Sequence, residues 1–386
     1  MAGTGAGSGI TDGAEDERSG KTPGRYNNGI GLRAFFEFTG EGNPPELRAN
    51  AKASIRKAIG FWRMKLLNAF VKVSIAPMLL AAASLAPAAQ LSTDARTAVP
   101  HDVQQLVVID YRVMQNSAAA MDLRERVMPP ELKEFDEALR KSALNDKNNI
   151  DQYVEQLAFV LFRPSASSDS LVMLGIAQGQ FPTQEILANF RKDKVKPVLV
   201  RTNKVYPMTK TGMVLCFVDP STMVFGAKDA VDKALDARDG VGSNMLSNAP
   251  MMDAMKSVDS APLWSILDEK GTRTMMKQVL GEAGSLTDFE TVQKRLQASW
   301  YGMDFQHGVK FDLTISTGDS FAAATVSSLL TAAVKLRKLS GTDAEKQALS
   351  ETTVASDAGN MSIHFASSDS QFNDLLHSPL FHSMVR

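Results

Sequence analysis

The stretch V-K-F-D-L-T-I-S, Val309–Ser316, alternates apolar and polar side chains without a break. Val309, Phe311, Leu313 and Ile315 fall on one side of an extended chain, and Lys310, Asp312, Thr314 and Ser316 on the other. Successive side chains of a strand point to opposite faces. A period of two therefore describes a strand with one face in a core and one in water, the pattern of an antiparallel sheet. The preceding run, Gln297–Phe305, is expected to pair with it across Gln306-His307-Gly308.

Outward from this hairpin, the chain from Pro100 reads as two similar sets of elements. In the first, Leu106–Asp110, Leu157–Phe162 and Leu171–Gln178 are strands, Val198–Thr202 and Val205–Thr209 a hairpin, and Met213–Val218 and Met223–Gly226 a second pair across Asp219-Pro220-Ser221. Helices are expected over Val113–Met128, Glu131–Ser142, Thr183–Lys192 and Lys228–Ala237. In the second set, Leu263–Leu267 and Met361–Ala366 are strands. Helices are expected over Pro250–Val258, Thr272–Leu280, Asp288–Leu296, Ser320–Leu339 and Ser370–His377. Thr342-Asp-Ala-Glu345 has the form of a capping box. The expected fold is α+β: two tandem units, residues 100–240 and 250–386, of mainly antiparallel sheet with helices packed on one face. Gln90–Val99 reads as a polar linker.

Ahead of these units lies the segment Met64–Gln90, with Lys65 after a methionine and an apolar run, Leu66–Leu85, that ends in small residues. Ala86 and Ala88 stand at the −3 and −1 spacing of a signal-peptidase site. The 63 residues before Met64 admit two readings. Either Met64 is the true start and residues 64–89 are a cleaved signal peptide, or the segment is an uncleaved anchor behind a basic tail containing Arg48, Lys52, Arg56, Lys57 and Arg63. Lys72 and Pro77 interrupt the run and favour the signal peptide. Residues 1–46, rich in Gly and charge, lack the apolar content to fold alone. The expected location is the periplasm or the cell exterior, or else the membrane through residues 64–89.

Residues 1–63 hold nine basic and seven acidic side chains and residues 64–89 two basic ones, leaving 31 basic and 36 acidic in the remainder. A net charge of −5 there offers no electrostatic footprint for nucleic acid. The single cysteine, Cys216, sits in the apolar run Met213–Val218 and is expected to be buried and inert.

Pro100–Asp110 (PHDVQQLVVID) and Met223–Ala237 (MVFGAKDAVDKALDA) resemble the opening and closing segments of uncharacterised exported bacterial envelope proteins built from duplicated α+β units. The resemblance implies an envelope protein and carries no catalytic residue with it.

Catalytic signatures are sparse. Gly20-Lys21-Thr22 ends like a phosphate loop, but Glu15 stands where the first glycine belongs and no strand precedes it. Ser54-Ile-Arg-Lys57 fits S-x-x-K without its partner motifs. His101, His307, His364, His377 and His382 are not spaced as metal ligands, although His364 and His377 would meet if the C-terminus folded back. No cofactor or metal is expected. Asp110 and Asp268 end matching strands of the two units, where they serve either as general acid or base or as caps of the following helices, the commoner role. Trp300 and Tyr301 fall on opposite faces of one strand; an exposed Tyr301 with Trp264 nearby would line a sugar or peptide groove. These features imply an exported, non-enzymatic binding or scaffold protein for an unknown envelope ligand. The alternative is an envelope hydrolase using Asp110, Asp268 and a histidine.

Overall fold

A computed structural model describes residues 89–144, 150–165, 170–280, 289–350 and 352–377. The apolar segment 64–88, the tail before it and His382 lie outside the described residues. Among the described residues, no helix is long and apolar enough to cross a membrane.

The fold is α+β. In chain order, helix α1 (Thr93–Thr97) leads into β1 (Val103–Asp110), then α2 (Tyr111–Gln115), α3 (Ala118–Val127), α4 (Pro130–Leu144), β2 (Val154–Phe162) and β3 (Val172–Gly179). Helix α5 (Thr183–Lys192) precedes β4 (Val198–Val200), β5 (Asn203–Pro207), β6 (Met213–Asp219), β7 (Thr222–Ala227) and α6 (Lys228–Arg238). The second half holds α7 (Ala249–Lys256), β8 (Leu263–Leu267), α8 (Glu269–Leu280), α9 (Phe289–Gln293), β9 (Leu296–Asp304) and β10 (Val309–Thr317). It ends with α10 (Ser320–Ser340), α11 (Asp343–Ser350), β11 (Thr353–Asp357), β12 (Asn360–Ser367) and α12 (Asp369–Leu376).

All strands join one twelve-stranded sheet in the order β11-β12-β10-β9-β8-β1-β2-β3-β7-β6-β5-β4. The two halves meet along β1 and β8, which pair antiparallel with Val107 opposite Ser265. Both strands are buried along their whole length. Outward from this seam the connectivity is the same on each side: β1-β2-β3-β7-β6 on one and β8-β9-β10-β12-β11 on the other. The hairpin β4–β5 extends the first side and has no counterpart.

Helices α2–α5 and α8–α12 cover one face of the sheet from end to end, and their apolar stripes fill its larger core. The opposite face is covered by α1 and α6 over the first half and by α7 over β8 and β9 of the second. Ala230, Val231, Ala234 and Leu235 of α6 are wholly buried in the same core as Val160, Leu174, Ile176, Cys216 and Val224. Full burial of an aliphatic side chain the size of Val231 or Leu235 stabilises by about 1.5–3 kcal/mol. The strands beneath are therefore apolar on both sides, whereas β9 and β10 alternate.

Several local expectations change. The helix expected over Val113–Met128 breaks at Asn116, and Ser117 accepts the Ala120 N–H to start a new helix at 3.2 Å. The expected linker Gln90–Val99 is part of the fold. Leu91, Ala95, Ala98 and Val99 are buried, and Ser92 caps α1 by accepting the Ala95 N–H at 3.1 Å. Those four apolar positions recur at helical spacing, so one side of the segment has a core-facing stripe. The first hairpin turns at Arg201–Thr202, two residues earlier than expected. The capping box closes as its residues predict: Thr342 N–H donates to Glu345 at 2.9 Å and Glu345 N–H to Thr342 at 3.3 Å.

Candidate binding face

The strand-to-helix turn at the end of each half decides where the sheet is left bare. After β7, α6 folds onto the second face. After β12, Ser368 and Gln371 form a capping box that starts α12, and Phe372 and Leu376 pack into the core of the first face. Arg126 of α3 bonds to the end of this helix, donating to the Leu376 carbonyl at 3.3 Å and to His377 Nε2 at 2.7 Å. His377 Nδ1 donates to the Asn373 carbonyl at 2.8 Å, which leaves Nε2 to accept. No described helix then covers the second face of β10, β12 and β11, whereas α7 lies over β9, where Gly302 faces Ala261.

Register places the side chains of this bare half in rows. Gly302, Asp312, His364 and Thr353 stand side by side across the four strands. The next rows are Trp300, Thr314, Ser362 and Ala355, then Ala298, Ser316, Asn360 and Asp357. At about 4.8 Å between strands, the three open strands β10, β12 and β11 make a platform roughly 10 Å across. Small and hydroxyl side chains keep it flat. Trp300 forms its inner border, half-buried against the core beneath α6 and α7.

His364 Nδ1 lies 2.5 Å from the Asp312 carboxylate, and both side chains are largely exposed. An exposed pair of this kind adds little stability. Its effect is to hold the imidazole against the sheet. Together with the hydroxyls of Thr314, Ser316 and Ser362 and the amide of Asn360, it gives the platform both donors and acceptors.

The residues singled out in the sequence lie elsewhere. Asp110 is buried and accepts the Val113 N–H at 2.9 Å, capping α2. Burial pushes its carboxyl above the ordinary range, against the lowering effect of that bond and of Arg112. Asp268 accepts the Gly271 N–H at 2.6 Å and pairs with Arg163 at 2.8 Å, capping α8. Burial outweighs Arg163 and raises its carboxyl too. The two acids flank opposite ends of the β1–β8 seam: the Asp110 N–H meets the Pro262 carbonyl and the Asp268 N–H the Gln104 carbonyl. They share no site.

Tyr301 is buried on the first face, stacked obliquely near Phe311 with ring centroids 5.4 Å apart. Its hydroxyl meets Ser265 and Gln105, and burial pushes the phenol up to about 12. Trp264 is fully buried on the second face and donates its indole N–H to the Ala89 carbonyl at 2.7 Å. The exposed aromatic of the Trp300–Tyr301 pair is thus Trp300, and the groove aromatics expected at Tyr301 and Trp264 belong to the core. Cys216 is a buried free thiol, pushed up to about 11 by burial. His364 and His377 sit on opposite sides of the sheet. Among the described residues, no group of three or more His, Cys, Asp or Glu side chains is arranged to hold a metal. Trp300 and the Asp312–His364 pair were missed as a site, although strand alternation already put Asp312 on the solvent side.

No protein family profile matches this chain, and no curated protein sequence does. Among solved structures, crystal forms I, III and IV of TP0453 are similar to it, at 10%, 9% and 10% identity and TM-scores of 0.44, 0.39 and 0.37. Each match covers 74% of this chain and 97%, 98% and 98% of the respective TP0453 chain.

Proposed function

We propose that this chain is an exported, non-enzymatic binding or scaffold protein that holds its ligand on the bare half of its sheet. The observation that carries the reading is the polar platform of β10, β12 and β11, bordered by Trp300 of β9 and centred on the Asp312–His364 pair. A broad, shallow, hydrogen-bonding surface with one aromatic edge suits an extended polar ligand such as a glycan or peptide strand. The acids of the hydrolase alternative, Asp110 and Asp268, are engaged as helix caps at opposite ends of the seam, which favours binding over hydrolysis. Export rests on the signal-like segment 64–89, whose cleaved form is periplasmic or extracellular and whose uncleaved form is anchored. The matching strand orders of the two halves support reading them as copies of one α+β unit, of which only the second keeps an open face.

The test uses Thr314→Lys with Ser362→Lys, which sets two long charged side chains on the platform without touching either core. Wild-type and variant proteins serve as bait in an envelope extract, and tryptophan fluorescence, with Trp300→Phe as the reference that isolates Trp300 among the three tryptophans, is followed with added chitohexaose and with extended peptides. The expected result is a captured component, or a change in Trp300 emission, that the variant loses while its circular dichroism stays native. Identical capture and identical fluorescence for both proteins would sink the assignment of this face.

A further inference from the structure

At the far end of the sheet from the platform, β4 is an edge strand that pairs only with β5. Val198 is 50% exposed and Leu199 is 66% exposed, one on each face of that edge. They are the only neighbours in sequence among the exposed large aliphatics of the described residues. Val241, also exposed, lies close to the same corner, two residues past Asp239, which ion-pairs with Arg201 at 3.4 Å.

The surroundings are strongly basic. Between Arg191 and Lys204 the chain carries six basic side chains and one acid, Asp193, within a protein whose overall charge is −1. Arg201 is neutralised by Asp236 and Asp239. Lys192, Lys194, Lys196 and Lys204 are exposed, and Lys204 stands directly across from Leu199. Lys194 and Arg201 bracket the strand with φ of 58° and 53°, a left-handed backbone that non-glycine residues adopt rarely.

Three occupants could cover such an edge. A second copy would bring its own lysines against these. An added peptide strand would find Pro197 at the start of a three-residue ladder, without an N–H to offer. A bilayer surface bearing anionic headgroups meets neither obstacle: lysines pair with headgroups while aliphatic tips enter the interface. We propose that the β4 edge docks this protein onto an anionic membrane surface, with Val198 and Leu199 entering the interface and Lys192, Lys194, Lys196 and Lys204 meeting the headgroups. This contact is separate from the platform.

The test is made on the full chain with Leu199→Cys labelled by an environment-sensitive NBD fluorophore. Cys216 is buried, and unlabelled wild-type protein taken through the same chemistry checks that it does not react. Vesicles of phosphatidylcholine, with and without phosphatidylglycerol, are titrated in. Emission from position 199 should rise and shift to the blue on the anionic vesicles alone. It should disappear at about 1 M salt, where the screening length falls to about 3 Å. Replacing Lys194, Lys196 and Lys204 together by Gln should weaken the response about a hundredfold, at about fivefold per lysine. A label at Ser316, on the platform, should not respond, which shows that the signal belongs to the β4 edge. The proposal is overturned by a silent label at position 199, by an equal response to neutral vesicles, by affinity that ignores the lysine replacements, or by a response to polyglutamate in place of vesicles.

Discussion

Replacing Trp264 with Phe tests the central seam and the attachment of the first described residues together. Trp264 is wholly buried between Val108 of β1 and Gly302 of β9, and its indole N–H is the donor to the buried Ala89 carbonyl. Phenylalanine keeps the apolar contact and removes that donor. An orphaned buried acceptor costs about 1–3 kcal/mol. The lost ring leaves a void of roughly 40 Å³, which at about 24 cal/mol per Å³ adds about 1 kcal/mol. The sum, about 2–4 kcal/mol, is a large share of the roughly 5–15 kcal/mol that holds an ordinary domain folded. Urea unfolding followed by far-ultraviolet circular dichroism should show the unfolding free energy falling by that amount, as a lower midpoint with an unchanged slope. Amide exchange should quicken in residues 89–99 more than in α6 or α10, because the anchor of α1 is what was removed. A change below about 0.5 kcal/mol, or uniform exchange rates, would refute this account of the Ala89–Trp264 contact.

Gly175→Ala should destabilise by about 2–3 kcal/mol, because its Cβ would sit 2.2 Å from the Phe225 ring. That ring is held by Phe135, stacked at 4.8 Å, and by Phe159 at 6.4 Å, so it cannot step aside; thermal unfolding checks the loss. Asp110→Asn keeps an equally good helix cap while removing a buried charge. The native carboxyl titrates above its ordinary value of 3.8, so the wild type loses stability as pH rises from that value through the raised one. The Asn variant should therefore gain on the wild type between pH 4 and neutrality, at roughly equal stability below; parallel urea curves at both pH values, with no such divergence, would contradict the burial argument.

Much of the sheet was legible in single residues. The alternation Val309–Ser316 reappears as β10 with its odd-numbered residues buried and its even-numbered ones facing water. Asp110 and Asp268 were readable as caps because a short acid at the end of an apolar run has a backbone N–H within reach three residues on. Strand β11 was not legible: Thr-Val-Ala-Ser-Asp has no apolar rhythm, and its pairing with β12 holds it in place. Alternation fixed Trp300 and Tyr301 on opposite faces but could not say which face is the core. That depends on register against Phe311 and on where distant helices pack. The bare platform was invisible for the same reason, since it exists because α12 packs Phe372 and Leu376 on the other side, with Arg126 bonded to its end.

The β1–β8 seam bears on how the molecule reaches its final state. Each partner strand is buried along its length, so a half that matures before its mate carries an unsealed ladder of backbone donors and acceptors. The corresponding strand of another nascent molecule fits that ladder as well as the chain's own does. Crowded synthesis should thus yield interlocked dimers by strand exchange at the seam, and a chaperone that shields one half until the other emerges would suppress them.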